Sequence, residues 1–189
     1  MLRRTMLFAA SAIVLAACGQ QAQQSAENTT PVETTAPTPA PAPAPAALTP
    51  ADFVQKAANS DAFEIQAAQL ALTNASGADV KALARMLRTD HTATTHQLTQ
   101  LAPTISLTAP TPVLDSDQQA NLNNLRNASG AAFDRLYLDQ QVQVHQDAIA
   151  MFEGFAANST PGPLQQWAQD TLPKLRTHLD RAQALKNAA

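Results

Sequence analysis

From Thr49 onward the apolar residues recur every three or four positions, the period of an α-helix and not the two-residue alternation of a strand. Thr49-Pro50 reads as an N-cap followed by proline at the first helical position. The helix it opens runs to about residue 74, with Phe53, Ala57, Asp61, Glu64, Ala68 and Ala71 along one stripe. "NASGA" at 74–78 breaks it, and Gly77 suits a left-handed C-terminal position. A second helix is expected from 79 to about 101, before Pro103, with the stripe Val80, Ala84, Leu87, His91, Thr94, Leu98 and Leu101. The connection "APTISLTAPTPVLDSD" follows, and Asp115, Ser116 or Asp117 can cap a short helix over 117–127. "NASGA" recurs at 127–131 as a second break. A third long helix, about 131–157, carries Asp134, Leu138, Gln141, His145, Ala148 and Phe152. "NSTPGP" stops it, and a fourth, 163–187, carries Leu164, Trp167, Thr171, Leu175, His178, Ala182 and Leu185. Four long helices predict an all-α, up-down four-helix bundle over 49–189, with a short extra helix in the connection between the second and third.

Polar residues inside these stripes carry the chemistry. Positions seven apart nearly superpose on a helix. His91 lies seven from Ala84 and Leu98, and so points inward. His96, about 140° further round, falls on a solvent face. Glu64, His145 and His178 are inward by the same test. A buried carboxylate or imidazole without a partner costs several kcal/mol or neutralises, so one on each helix is expected to find the others. With both hairpin turns placed at the same end and ~1.5 Å per residue, the four lie roughly 18–25 Å from that end, in one layer about 7 Å thick. Asp134, ~16 Å along the axis from His145, lies outside it. Three imidazoles and a carboxylate form a first shell for one transition-metal ion: Zn, Fe, Mn or Cu. Asp90, just before His91, can orient a neighbouring ligand. The alternative is a buried Glu/His network that fixes helix register in a non-enzymatic interaction module. No nucleophile motif, phosphate loop or dinucleotide fingerprint points to an enzyme.

The N-terminus adds an address. Arg3 and Arg4 precede a short apolar run, Met6 to Ala17, of secretory-signal length. It ends in Leu15-Ala16-Ala17-Cys18, similar to a bacterial lipobox, in which the cysteine takes the lipid. Residues 1–17 read as a lipoprotein signal peptide and Cys18, the sole cysteine, as the lipidation site. Cleavage there moves the formal charge from −3 to −5 and leaves no thiol for metal or disulfide. Gly19 in place of aspartate after the cysteine favours the outer membrane, facing the periplasm. Residues 18–48, rich in Ala, Pro, Thr and Gln, read as a disordered tether, able to reach roughly 90 Å if extended. The expected partner is therefore a membrane reached through the lipid. An acidic chain without a basic run argues against nucleic acid.

The runs "FEIQAAQLAL", "VKALARMLRTDHTATTHQL", "LAPTISL", "FDRLYLDQQVQVHQDAIAMFE" and "LPKLRTHLDRAQAL" resemble the bacterial domain-of-unknown-function 4142 family over roughly 50–187. The resemblance implies a ferritin-like four-helix bundle and an outer-membrane location. It places the family's recurring polar residues on Glu64, Asp90, His91, Asp134, Tyr137, His145 and His178, and implies no activity. A carboxylate-bridged di-iron centre does not fit. Such bundles place Glu three residues before each ligand His, where this chain has Arg88, Val142 and Leu175.

Overall fold

A computed structural model describes residues 48–188. The expected signal peptide, Cys18 and nearly all of the tether lie outside the described residues. The elements are α1 (Pro50–Asn74), α2 (Ala78–Thr104), α3 (Ser116–Arg126), α4 (Gly130–Asn158) and α5 (Pro163–Ala188). The chain folds as an all-α four-helix bundle. None of the described helices is long and apolar enough to cross a membrane.

Local chemistry sets the boundaries. The Thr49 side chain accepts from the Asp52 amide, and Pro50 occupies the first turn. Asp115 and Gln118 form a reciprocal capping box on α3. α2 runs past the expected stop at residue 101, because Pro103 sits in its last turn, where only a terminal hydrogen bond is lost.

α1 packs on α2 and α4, and α5 packs on α2 and α4, closing a ring in the order α1, α2, α5, α4. The short α3 lies outside it against α1 and α4. The expectation that both hairpin turns share one end is corrected. Ala75, in the α1–α2 turn, bridges Gly130 at the start of α4. The Phe53 and Phe155 rings stack at the opposite end, 3.9 Å apart. The α1–α2 turn is thus at one end and the α4–α5 turn at the other. The chain runs up, down, down and up, and residues 105–129 with α3 make the crossing. Each helix is still antiparallel to both neighbours, and a single long crossover is the connectivity of ferritin-like bundles.

The two "NASGA" segments face each other at the upper end. Asp134 accepts from the backbone amides of Ser76 (3.0 Å) and Gly77 (2.8 Å) and from the Ser76 hydroxyl. A carboxylate from α4 therefore caps the N-terminus of α2, where the helix dipole favours negative charge. Gly77 is not left-handed as expected; its φ is −73°. A Cβ there would lie 3.2 Å from Asp134 Oδ2, so close approach is what the glycine provides. Among the described residues the left-handed glycine is Gly130, at φ 60°.

Two apolar clusters fill the bundle. The upper one joins Phe63, Leu83, Leu87, Phe133 and Tyr137 with small alanines. The lower one joins Phe53, Leu98, Phe152, Phe155 and Leu175. A layer of buried polar residues separates them.

Candidate metal centre

That layer takes Asp61 and Glu64 from α1, His91 and Thr94 from α2, Gln141 and His145 from α4, and His178 from α5, all buried. Each lies near its helix midpoint, with the two apolar clusters above and below. The imidazoles of His91, His145 and His178 form a near-equilateral triangle, with ring centres 5.7, 5.4 and 5.2 Å apart. One nitrogen from each lies within 4.8 Å of the other two.

The outer nitrogen of each ring faces an oxygen that accepts. His91 Nδ1 donates to Asp61 Oδ1 at 2.7 Å. His145 Nδ1 donates to the Gln141 carbonyl at 2.9 Å. His178 Nε2 donates to Asp90 Oδ2 at 2.8 Å. In a neutral imidazole the second nitrogen is then a lone-pair acceptor. Those second nitrogens turn inward. His145 Nε2 and His178 Nδ1 face each other at 3.2 Å, and His91 Nε2 is buried with no hydrogen-bond partner among the described residues. Two lone pairs at that separation repel unless something electrophilic lies between them. Two nitrogens bound tetrahedrally to one ion at ~2.0–2.1 Å lie about 3.3 Å apart, close to the observed spacing. The donor set fits a borderline transition metal held by imidazoles, with carboxylate and carbonyl partners that raise ligand basicity.

The electrostatics favour neutral rings at two corners. Burial, followed by repulsion from the other two histidines, pushes His145 down to about 3. Burial pushes His178 down to about 4, against the Asp90 hydrogen bond. Burial also lowers His91, but the Asp61 hydrogen bond and the charges of Glu64, Asp61 and Asp90 outweigh it and raise the pKa. Asp90 is lowered: burial works against ionisation, while hydrogen bonds from His178 and Lys174 and the Lys174 charge prevail. Lys174 Nζ lies 3.3 Å from Asp90 Oδ1.

The structure brings together three of the four expected ligands. Glu64 shares the layer but is not in the group of converging donors. Its Oε1 accepts from Gln141 at 3.3 Å, its Oε2 has no partner among the described residues, and burial pushes it up to about 7. Asp90 pairs with His178 on the adjacent helix α5, and not with its sequence neighbour. The partner of His91 is Asp61, whose second oxygen meets the hydroxyls of Thr94 and Thr95 at 2.9 and 3.1 Å. Asp61 was not among the expected site residues. Its signal was its place on the inward stripe, three residues before Glu64. His96 is exposed, as its helical phase predicts, and Asp134 belongs to the α2 cap.

Fold and site together define a helical-bundle protein with a buried three-histidine centre. The chain belongs to the family described as "Domain of unknown function (DUF4142)", which matches residues 34–185. Among solved structures it is similar to CopM in the Cu(II)-bound form, at 18% identity and TM-score 0.63, over 72% of this chain and 95% of that one. It is also similar to CopM in the Ag-bound form by soaking, at 19% identity and TM-score 0.61, over 76% and 98% of the two chains. No curated protein matches.

Proposed function

We propose that this protein is a metal-handling lipoprotein of the bacterial envelope, anchored through Cys18 to the outer membrane, whose bundle holds one transition-metal ion between His91, His145 and His178. The observation that carries the reading is the convergence of three inward nitrogens whose opposite ring nitrogens are each fixed as donors. A proton shared between His145 and His178 would make the cluster a purely structural network. That alternative leaves His91 Nε2, buried and unpartnered, without an explanation. Asp61 and Asp90 keep two carboxylates beside the histidines, which offsets the cost of burying a cation. Copper is the first ion to test, since CopM shares this fold and has been solved with Cu(II) and with Ag. The role is sequestration, sensing or protection against oxidants.

Elemental analysis of the full chain, after exposure to Cu²⁺ and removal of the excess, tests this. Wild type is expected to retain one ion per chain, and His91→Ala/His178→Ala far less with helicity unchanged. Equal, negligible metal in both would refute the reading.

A further inference from the structure

The centre is closed above and below by the apolar clusters, but on one side it reaches solvent. A cavity of about 10 Å³ adjoins His91 and His178 and is bounded outward by Asp90, Thr94, Thr171 and Lys174. That volume is about one water molecule. Outside it, between α2 and α5, lies a surface groove of about 250 Å³ lined by Thr94, Gln97, Trp167, Asp170, Thr171 and Lys174. The two spaces share Thr94, Thr171 and Lys174. The two spaces are therefore adjacent, the groove outside as a vestibule and the small cavity beside His91 and His178 as a throat. Lys174 stands at the junction, with its side chain 37% exposed, paired to an Asp90 side chain that is 28% exposed. Asp90 in turn holds His178. The preceding residue, Pro173, lies inside α5 and has no N–H to give the carbonyl one turn back. The turn that carries Lys174 is therefore one backbone hydrogen bond short.

Resting on the ion-binding reading above, we propose that the α2–α5 groove is the ion's path to the histidines and that the Lys174–Asp90 pair is its gate. A throat of this size admits a cation stripped of most of its water and excludes organic molecules. The Lys174 ammonium repels an approaching cation and neutralises the carboxylate that would attract it. When Lys174 swings out, Asp90 presents an uncompensated negative charge at the mouth, which focuses cations into a narrow cleft. Lys174 thus sets the rates of loading and release, more than the affinity.

The sole tryptophan, Trp167, lies in the vestibule and reports passage. Full-length chain is mixed with Cu²⁺ while Trp167 fluorescence is followed by stopped flow, and release is started with a chelator. In Lys174→Met, loading and release are both expected to quicken roughly tenfold, the lower end of electrostatic steering effects, with the dissociation constant within about threefold. Thr171→Leu, which narrows the throat, is expected to slow both. Rates equal to wild type in both variants would overturn the gate while leaving the ion-binding reading intact. So would a Lys174→Met effect confined to release, since that marks a mere support for Asp90. A wild type that binds no Cu²⁺ overturns both proposals.

Discussion

The apolar ends of the bundle and the polar layer between them are built on the same four helices to opposite effect. In the lower end Phe53 stacks on Phe155 and meets Phe152 edge-on, with ring centres 3.9 and 4.9 Å apart. Every contact there gains from leaving water. About two to four turns above, Asp61, Glu64, His91, Gln141, His145 and His178 are just as buried. There, stability depends on hydrogen bonds, and several atoms remain unsatisfied: Glu64 Oε2, His91 Nε2 and Gln141 Oε1. A stretch of core that costs stability, flanked by stretches that supply it, is the pattern of a site held by a scaffold. The ends fold the protein, and the layer gives it something to hold.

Substitutions can break that division of labour. Phe53→Ala is expected to have the largest effect on folding, a loss of about 3–5 kcal/mol in urea unfolding, while the fraction that stays folded keeps its metal stoichiometry. A comparable loss of metal would mean that the ends and the layer are not separable. His145→Leu should do the reverse. A near-isosteric apolar residue in a packed core changes metal-free stability by under about 1.5 kcal/mol. Affinity should nonetheless fall by more than the 10–100-fold typical of outer-shell losses, as read by competition titration with a chromogenic chelator. Asp61→Asn keeps shape but weakens the hold on His91, and is expected to cost about 10–100-fold in affinity. An unchanged affinity would remove Asp61 from the site.

Acid sharpens the contrast further. His145 and His178 are held neutral to about 3 and about 4, below the unfolded value of about 6.5. The unfolded chain therefore binds protons first, and these two residues lower metal-free stability as pH falls from about 6.5 towards 4. Glu64, raised to about 7, acts in the opposite sense. Its contribution is present in acid and is lost as pH rises through about 7. Glu64→Gln removes that offset and should steepen the acid-side loss in a series of thermal melts. Metal affinity should also decline in acid, beginning with His91, the most basic ring, whose added proton occupies the inward nitrogen. A pH-independent affinity between 5 and 8 would exclude inward imidazoles as ligands.

Much of this was legible in the chain because helical phase is local. The period of the stripes located each helix to within a few residues and turned His91, His145 and His178 inward while leaving His96 outside. The long-range arrangement was not legible in the same way. Both hairpin turns were expected at one end, and they lie at opposite ends. The histidines still meet because each sits near the middle of its helix, where reversing a hairpin hardly changes its height. Residues near helix ends had no such protection: the role of Gly77 was misread because its partner, Asp134, comes from another helix 57 residues on. The pairings within the layer were equally hidden. Phase places Asp61 on the inward stripe and sequence places Asp90 next to His91, but only the packed bundle decides that Asp61 takes His91 and Asp90 takes His178.

The central claim is that three imidazole nitrogens converge on one ion, and X-ray absorption of the Cu²⁺-loaded full chain tests it most directly. The account predicts three nitrogen neighbours at ~2.0–2.1 Å with the multiple-scattering signature of imidazole rings, lost in His91→Ala/His178→Ala. A first shell of oxygen atoms without imidazole scattering would contradict it.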